Sequence, residues 1–300
     1  MLSILIPVYN TSVITLVNQL HKQALRDCTC FEIIVIDDCS TFHEVKIANE
    51  QLNHLPFIKY IQLNRNLGRS AIRNMLIKEA KYEYLLLMDC DALVPQEDFI
   101  KNYVKECNGT IVVCGGTAYQ KEKPPSENIL RWHYGVHREV KTADERNILP
   151  NHAFSTFNFL ISRDIPNTIV FDETLVQYGH EDTMFGYMLL KHGYTVKHIN
   201  NPLLHCGLDK NEDFIFKTKL GVQNLHYLAH QDRYKTVDFS QFKIMKVFKI
   251  IKLLLLKTLI AILYHLTINK IEKQLCSEKP NLYLFDFMKI GYLCTLKNIG

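Results

Sequence analysis

The sequence lacks long hydrophobic runs, zinc-spaced cysteine pairs and a strong excess of charge of either sign. In the basic C-terminal part, the longest stretch without a charged residue, Thr258 to Asn269, is 12 residues long. A spanning helix needs about 20 apolar residues. The nine cysteines are odd in number and scattered, which indicates a reducing compartment without a disulfide framework. These absences exclude a bundle of spanning helices and a disulfide-stapled domain.

Two further features are weak or missing. The net charge of +4 over 300 residues is mild, so the field of the chain does not indicate nucleic acid as the main partner. No basic segment precedes the first apolar run and no small-residue cleavage site follows it, so we expect no secretory signal. The sequence therefore predicts that the catalytic part stays in the cytoplasm.

Short apolar runs alternate with helical stretches in the first part of the chain. Strands are predicted at residues 3–8, 32–36, 57–63 and 84–88, and again at 110–114 and 157–161; helices are predicted at 70–80 and 181–192. Alternating strands and helices indicate βαβ units. Uninterrupted Ile, Val and Leu content is typical of strands that are buried on both faces. The pattern predicts an α/β fold with a mostly parallel sheet and helices on both faces.

Acidic residues follow two of these strands, Asp37 and Asp38 after the second, and Asp89 and Asp91 after the fourth. Carboxyl ends of parallel strands meet at one edge of a sheet, where ligands bind. A hard cation such as Mn²⁺ or Mg²⁺ prefers oxygen ligands and bridges carboxylates to phosphates. A D-x-D alone more often marks a solvated strand end than a metal site, but here it follows an apolar strand, which favours the metal site.

Four sequence segments, taken in chain order, together form a recognisable pattern. They are S-I-L-I-P-V-Y-N at 3–10, E-I-I-V-I-D-D-C-S at 32–40, N-L-G-R-S-A-I-R-N at 66–74 and L-M-D-C-D at 87–91. Together they resemble the family 2 glycosyltransferases of GT-A fold, over roughly residues 1–115. Ile72 departs from the family pattern, which often has Ala there. The resemblance implies a Rossmann-like GT-A domain and an inverting transferase that uses a nucleotide sugar, with UDP the expected nucleotide.

The resemblance also implies site residues. Asp38 would accept from the base, Asp37 would order the loop, Asp89 would reach the ribose, and Asp91 would hold Mn²⁺ or Mg²⁺. The residues expected to bind the nucleotide sugar are Pro7, Tyr9, Asp37, Asp38, Asn66, Gly68, Arg73 and Asp89. Outside the motif, Arg73 would be read as an ordinary helix-surface arginine.

Glu181 and Asp182 open a predicted helix after Gly179-His180 and resemble the family's G-x-E-D segment. A carboxylate can take a proton from an attacking hydroxyl, and we favour Asp182 as the base with Glu181 second. The alternative is a pair of acids that complement the helix dipole. His205 follows a later strand, and the resemblance suggests it as a second metal ligand, although a lone histidine is more often structural.

Arg131 and Trp132 invite comparison with the Q-x-x-R-W of processive polysaccharide synthases. Here the pair precedes Glu181 and Asp182, and the sequence has no spanning bundle, so a non-processive enzyme is predicted. The two residues are expected on an aromatic helix near the acceptor, with core packing an equal alternative.

The C-terminal part changes in composition near residue 241, where lysines interrupt a run of Ile, Leu, Val and Phe. The chain is therefore divided into a catalytic domain at 1–235 and a basic helical region at 236–300. An amphipathic helix over 241–268 is expected to lie in the plane of an anionic membrane surface, which would make the enzyme peripheral at the inner face. The alternative is a helix packed on the catalytic domain.

The sequence thus predicts a metal-dependent, hexosyltransferase-type enzyme of cell-surface polysaccharide synthesis that acts on a glycan or a lipid-linked acceptor. Two rivals remain. A nucleotidyltransferase would want a glycine-rich basic loop after the first strand, which residues 9–12 lack. A silent sugar-nucleotide-binding protein at the membrane would be expected to have lost its carboxylates.

Overall fold

The structure, a computed structural model, describes residues 1–175 and 178–297. Its contacts divide the chain into two compact units. The first unit comprises residues 1–120, 138–176 and 181–207, and the second comprises 121–137, 177–180 and 208–300. The predicted boundary at residue 235 falls inside the second unit, and the division into 1–235 and 236–300 stays a prediction.

The strands all belong to the first unit. They are β1 (Leu2–Val8), β2 (Phe31–Asp37), β3 (Ile58–Gln62), β4 (Tyr84–Met88), β5 (Ala92–Leu93), β6 (Val112–Cys114), β7 (Thr117–Ala118), β8 (Asn158–Ser162), β9 (Lys197–His198) and β10 (Leu203–His205). Each of the six predicted strands is present, with ends that shift by up to two residues.

Eleven α-helices occur in the described residues. They are α1 (Ile14–Asp27), α2 (His43–Glu50), α3 (Arg69–Glu79), α4 (Phe99–Val104), α5 (Ile129–Tyr134), α6 (Ala143–Asn147), α7 (Glu181–Lys191), α8 (Asn211–Leu228), α9 (Lys243–Leu253), α10 (Lys257–Leu275) and α11 (Leu282–Thr295). The predicted helices at 70–80 and 181–192 are confirmed as α3 and α7.

Seven strands form the main sheet in the order β3-β2-β1-β4-β8-β6-β9. The first four are mutually parallel, and β8 runs antiparallel to both β4 and β6. The remaining three strands form a small sheet in the order β5-β10-β7. The prediction of a mixed, mostly parallel sheet is confirmed.

The two faces of the main sheet are both covered, which explains the uninterrupted apolar strands. Alternate residues of one strand point to opposite faces: Ile4 and Ile6 belong to a cluster with α1 and α4, whereas Leu5 belongs to one with α3 and α7. Helices therefore cover both faces of the sheet, as predicted.

The second unit is helical. Phe285 and Met288 of α11 are buried against Ile271 and Leu275 of α10. Close approach requires Gly291, since a methyl group there would lie 2.6 Å from Cδ2 of the Tyr264 ring. None of the described helices is long and apolar enough to cross a membrane.

Gly291→Ala is expected to destabilise the protein, because the added methyl group overpacks the α10–α11 contact at a buried ring. The expected loss is about 1–3 kcal/mol in the free energy of unfolding, measured by urea denaturation. Gly221→Ala in α8 is the matched control: apart from its chain neighbours and the backbone of its own helix, no atom lies within 4 Å of the added methyl group. Alanine also favours the helix by up to about 1 kcal/mol. Equal effects of the two changes would contradict the packing argument.

Candidate active site

The carboxyl ends of β2, β1 and β4 lie side by side in the sheet, so the segments that follow them share one edge. Asp37 is the last residue of β2, and Asp38 follows it; Asp89 directly follows β4. Pro7 lies near the end of β1, and the exposed side chain of Tyr9 comes just after it. The predicted nucleotide-binding residues are therefore gathered at this edge.

Asp37 is fully buried and holds the turn that follows β2. Its carboxylate accepts hydrogen bonds from the backbone N–H of Ser40 at 2.6 Å and from the hydroxyl of Tyr60 at 2.8 Å. Burial raises the pKa of the Tyr60 hydroxyl, and the bond to Asp37 raises it further, so Tyr60 stays a donor. Asp37 thus shapes the loop from the inside.

Asp38 clamps the loop that leads into α3. Its carboxylate oxygens accept from the backbone N–H groups of Leu67 at 2.6 Å and Gly68 at 2.9 Å, while its carbonyl accepts from the Asn66 side chain at 2.9 Å. Gly68 has φ +84°, a value that favours glycine. Two sequence motifs that are 28 residues apart are therefore joined. A bond from Asp38 to a base stays a prediction.

Arg73 of α3 connects two acidic segments. The side chain is 3% exposed, and its Nη2 lies 2.8 Å from Oδ1 of Asp89 while its Nη1 lies 3.4 Å from Oε1 of Glu181. Arg69, one turn earlier, also reaches Oε1 of Glu181 at 3.4 Å. A buried charge needs such partners. A surface position for Arg73, the alternative interpretation from sequence, does not occur.

Asp91 and His205 are brought together by the small sheet. His205 of β10 is paired with Ala92 of β5, and its Nε2 lies 3.3 Å from Oδ2 of Asp91. Burial alone would raise the pKa of the Asp91 carboxyl, but the interaction with His205 outweighs it and the pKa is lowered. The rings of Tyr119 and Phe157 lie 5.4 and 5.2 Å from the imidazole and fix its orientation.

Among the described residues, no group of three His, Cys, Asp or Glu side chains could hold a metal ion. The protein thus offers the pair Asp91 and His205, one carboxylate oxygen and one imidazole nitrogen. Oδ1 of Asp89 forms an ion pair with Arg73 and is therefore occupied. The Nδ1 atom of His205 is buried and has no hydrogen-bond partner within the described part of the chain.

Glu181 and Asp182 begin α7, as predicted, but their environments differ. Burial would raise the pKa of Glu181, and the charges of Arg73 and Arg69 outweigh it, so the pKa is lowered. For Asp182, burial and the adjacent Glu181 carboxylate raise the pKa to about 6. Glu181 is therefore a fixed anion, and Asp182 can exchange a proton near neutral pH.

Arg131 and Trp132 lie on α5, in the second unit. Trp132 is buried, and the Arg131 guanidinium lies 5.0 Å from the centre of the Phe214 ring in the same unit. Core packing accounts for these contacts. An acceptor role for the two residues stays a prediction.

Two residues of this site were missed by the sequence reasoning. Arg69 lies inside the N-x-G-R segment and could have been found from that motif. Gly207 follows His205-Cys206, and a methyl group on it would lie 2.6 Å from Cβ of Asp91. The carbonyl of Asp91 also accepts hydrogen bonds from the backbone N–H groups of Cys206 and Gly207. These bonds hold the backbone of Asp91 next to Gly207.

Comparison with known proteins agrees with this geometry. The model of the glycosyl transferase family 2 matches residues 3–168, more than half of the sequence, and the chain belongs to this family. Chondroitin synthase of Escherichia coli is 33% identical over 242 residues, 68% of this chain and 34% of that protein. Chondroitin synthase of Pasteurella multocida is 28% identical over 230 residues, 64% of this chain and 23% of that protein. The chain thus spans only about a quarter to a third of these relatives.

Solved structures confirm the GT-A fold. Residues 1–349 of TarS of Staphylococcus aureus in complex with UDP match with a TM-score of 0.51 and 23% identity, over 77% of this chain and 66% of that one. The same protein was also solved with UDP-GlcNAc. The mannosyltransferase PcManGT from Pyrobaculum calidifontis, in complex with GDP-Man and Mn²⁺, matches with a TM-score of 0.52 and 16% identity, over 77% of this chain and 64% of that one.

Replacing Asp182 with Asn is expected to stabilise the protein at neutral pH. The native pKa of about 6 exceeds the ordinary 3.8, so the folded state binds more protons than the unfolded state between these values. Stability contributed at this position is therefore lost as pH rises from about 4 through 6. Asp182→Asn should raise the free energy of unfolding by roughly 1–3 kcal/mol at pH 7.5 and by little at pH 3.5.

Urea denaturation at both pH values measures this difference. Asp144→Asn at the start of α6, an exposed aspartate in the first turn, is the control and should show no such pH-dependent gain. A gain of equal size at pH 3.5 and pH 7.5 for Asp182→Asn would contradict the raised pKa.

Proposed function

We propose that this chain transfers a sugar from a nucleotide sugar to an acceptor hydroxyl with inversion at the anomeric carbon. The observation that carries the proposal is the convergence, at one edge of the sheet, of the strand ends, the α3 loop, the D-x-D and the start of α7. The ligands named for the related structures, UDP, UDP-GlcNAc and GDP-Man, support a nucleotide-sugar donor, with UDP the first choice.

The residues present suit a divalent cation. Oδ2 of Asp91 and Nε2 of His205 lie close enough to bind one ion, and diphosphate oxygens of the donor would complete its coordination. An oxygen and an imidazole nitrogen favour Mn²⁺ over Mg²⁺, which prefers oxygen ligands alone. Such an ion would neutralise the charge that builds on the departing diphosphate.

The side chains of the protein supply the remaining steps. Asp182 takes the proton of the acceptor hydroxyl as its oxygen bonds to the anomeric carbon, while the bond from that carbon to the diphosphate oxygen breaks. Its pKa of about 6 makes Asp182 ionised yet basic at neutral pH. Glu181 is held by Arg69 and Arg73 and is a poorer base. Asp89, held by Arg73 through Oδ1, keeps Oδ2 for the ribose.

The acceptor class is proposed from the kind of relatives matched. By their names, the chondroitin synthases make chondroitin, and TarS transfers N-acetylglucosamine to poly(ribitol phosphate). We infer a hexose donor and a glycan or lipid-linked acceptor in cell-surface polysaccharide synthesis. A non-processive action is inferred, because Arg131 and Trp132 precede Glu181 and Asp182, unlike the Q-x-x-R-W of processive synthases.

The two rival functions are less well supported. A silent binding protein would not need a carboxyl group of raised pKa beside a fixed anion, as in Asp182 and Glu181. A nucleotidyltransferase is disfavoured by the family membership and by the loop after β1. There, Asn10 binds the backbone of Thr41 and Phe42 through its side chain, and no glycine-rich basic loop is present in residues 9–12.

The purified protein with Mn²⁺ should slowly hydrolyse at least one UDP-sugar, and UDP release measures this. Asp91→Ala should lower the rate by about 100-fold or more, because the metal-binding carboxylate is lost. Gly207→Ala should have a similar effect, because its methyl group displaces the Asp91 side chain. Asp98→Ala, at a surface aspartate 61% exposed, is the control. Release that persists in EDTA and in Asp91→Ala would refute the metal site.

The rate should fall as pH drops through about 6, because Asp182 must be ionised to accept a proton. Asp182→Asn should reduce kcat by about 10²–10⁴-fold. Glu181→Gln should also reduce activity, but the remaining rate should keep its acid limb near pH 6 or below, since removal of the Glu181 charge lowers the pKa of Asp182. A wild-type profile that is flat from pH 5 to 8 would argue against Asp182 as the base.

A further inference from the structure

We propose that the second unit carries a surface that inserts into an anionic lipid bilayer. It has two parts. The first, which we call the leucine tip, is residues 253–256, the last residue of α9 and the turn that leads to α10. The second is a row of apolar side chains on α10, which we call the α10 stripe. This inference concerns membrane attachment and does not rest on the transferase proposal.

The leucine tip is four consecutive leucines in a turn. Leu253 is 81% exposed and Leu255 is 88% exposed, and Leu254 and Leu256 are also exposed. Leu255 has φ +57°, a conformation that favours glycine or asparagine and that leucine adopts only at a cost. Packing within the folded chain does not explain a leucine at this position, because its side chain contacts solvent. A leucine here is explained by an apolar environment outside the chain.

The α10 stripe continues this surface. Leu259, Ile262, Leu263 and Leu266 are all exposed, and their spacing of three, four and seven residues places them on one face of the helix. The opposite face of α10, with Tyr264 and Ile271, is buried in the unit. The helix therefore has an apolar face in the core and a second apolar face in water. An apolar groove of about 470 Å³, lined also by Leu284 and Phe287, shares Leu263 with the stripe.

Contiguous exposed apolar surface of this kind marks an interaction site, and the charges next to it indicate which kind. Residues 239–271 contain six lysines and no acidic residue, an excess larger than the net charge of the whole chain. Lys243, Lys246, Lys249 and Lys252 are exposed and follow one another along α9. Lys257 is different, since it donates to the carbonyl of Leu296 at 2.9 Å.

A bilayer with anionic head groups fits both features. Lysines at its surface each strengthen binding about fivefold, and their apolar stems let them stay at head-group level while neighbouring Val247 and Ile250 enter the interface. A second copy of the same surface would bring lysines against lysines, which disfavours self-association. The structure also changes the mode of binding: the predicted single in-plane helix is two helices, α9 and α10, with the leucine tip between them.

Vesicle sedimentation tests the surface. The protein should bind vesicles of phosphatidylcholine with about a third phosphatidylglycerol, and bind vesicles of phosphatidylcholine alone at least tenfold more weakly. Leu254→Ser with Leu255→Ser should weaken binding at least tenfold. Replacement of the four exposed α9 lysines by Gln should remove the preference for phosphatidylglycerol. Ile148→Ser with Leu149→Ser, at residues 75% and 61% exposed in the first unit, is the matched control and should leave binding unchanged.

Insertion of the leucine tip into the bilayer can be measured by tryptophan fluorescence. The chain has one tryptophan, the buried Trp132, so the added fluorescence of Leu255→Trp reports on the tip. Its emission should shift to the blue on anionic vesicles and be quenched by brominated acyl chains. The proposal is overturned if the tip variant binds like the control variant or if Trp emission does not change. It is also overturned if light scattering shows a dimer that the tip variant dissociates while vesicles are not bound.

Hydrolysis of the donor without vesicles separates the two proposals. The tip variant should hydrolyse as fast as the unchanged protein, since the leucine tip has no part in the carboxylate site. If the unchanged protein hydrolyses the donor but does not bind anionic vesicles, the membrane proposal alone is overturned. If it binds the vesicles but hydrolyses no donor, the transferase proposal alone fails.

Discussion

The arrangement of the site depends on one buried cation, the guanidinium of Arg73. It holds Asp89, which follows β4, and Glu181, which begins α7 and lies 108 residues away in sequence. A charge removed from water requires compensation, and loss of one partner of a buried pair costs about 3–5 kcal/mol. The sheet edge and two helices are therefore fixed relative to one another. The same interaction distinguishes the two carboxylates at the start of α7, because the arginine charges lower the pKa of Glu181, whereas burial and the adjacent Glu181 charge raise the pKa of Asp182.

The change of strand direction after β4 brings later segments of the chain to the candidate site. The antiparallel strand β8 begins at the edge where the parallel strands end, with Asn158 opposite Met88, and β9, parallel to β6, returns the chain to that edge. The side chain of Asn158 in β8 donates to the carbonyl of Asn201 at 2.9 Å and accepts from the hydroxyl of Tyr103. The chain then enters β10, whose antiparallel pairing with β5 sets His205 opposite Ala92. The contact between Asp91 and His205 is thus a product of topology, assembled from segments more than 100 residues apart.

Much of this could be predicted from the sequence, and the rest could not for physical reasons. The buried strands were found because an apolar run between turn residues is a local signal, and Asp38 and Arg73 because the motifs around them are local too. The contact of Asp91 with His205 depends on the two-residue strand β5, which has no periodicity to detect. The break of the basic helix at residues 254–256 was also missed, because leucines are good helix formers and no glycine or proline marks the turn.

The two aspartates of the D-x-D illustrate how context assigns different chemistry to identical residues. Neighbouring side chains of an extended segment point to opposite sides, and alternate ones share a side. Asp89 and Asp91 nevertheless meet different partners, because the chain leaves β4 between them and enters β5 at Ala92. Asp89 contacts the guanidinium of Arg73, whereas Asp91 contacts the imidazole of His205, a kind of group that can bind a metal. The imidazole of His205 has a nitrogen lone pair that it can offer to a metal ion, but the guanidinium of Arg73 has none. The proposed division of the two residues, Asp89 for the ribose and Asp91 for the metal, therefore rests on the different side chain that each contacts.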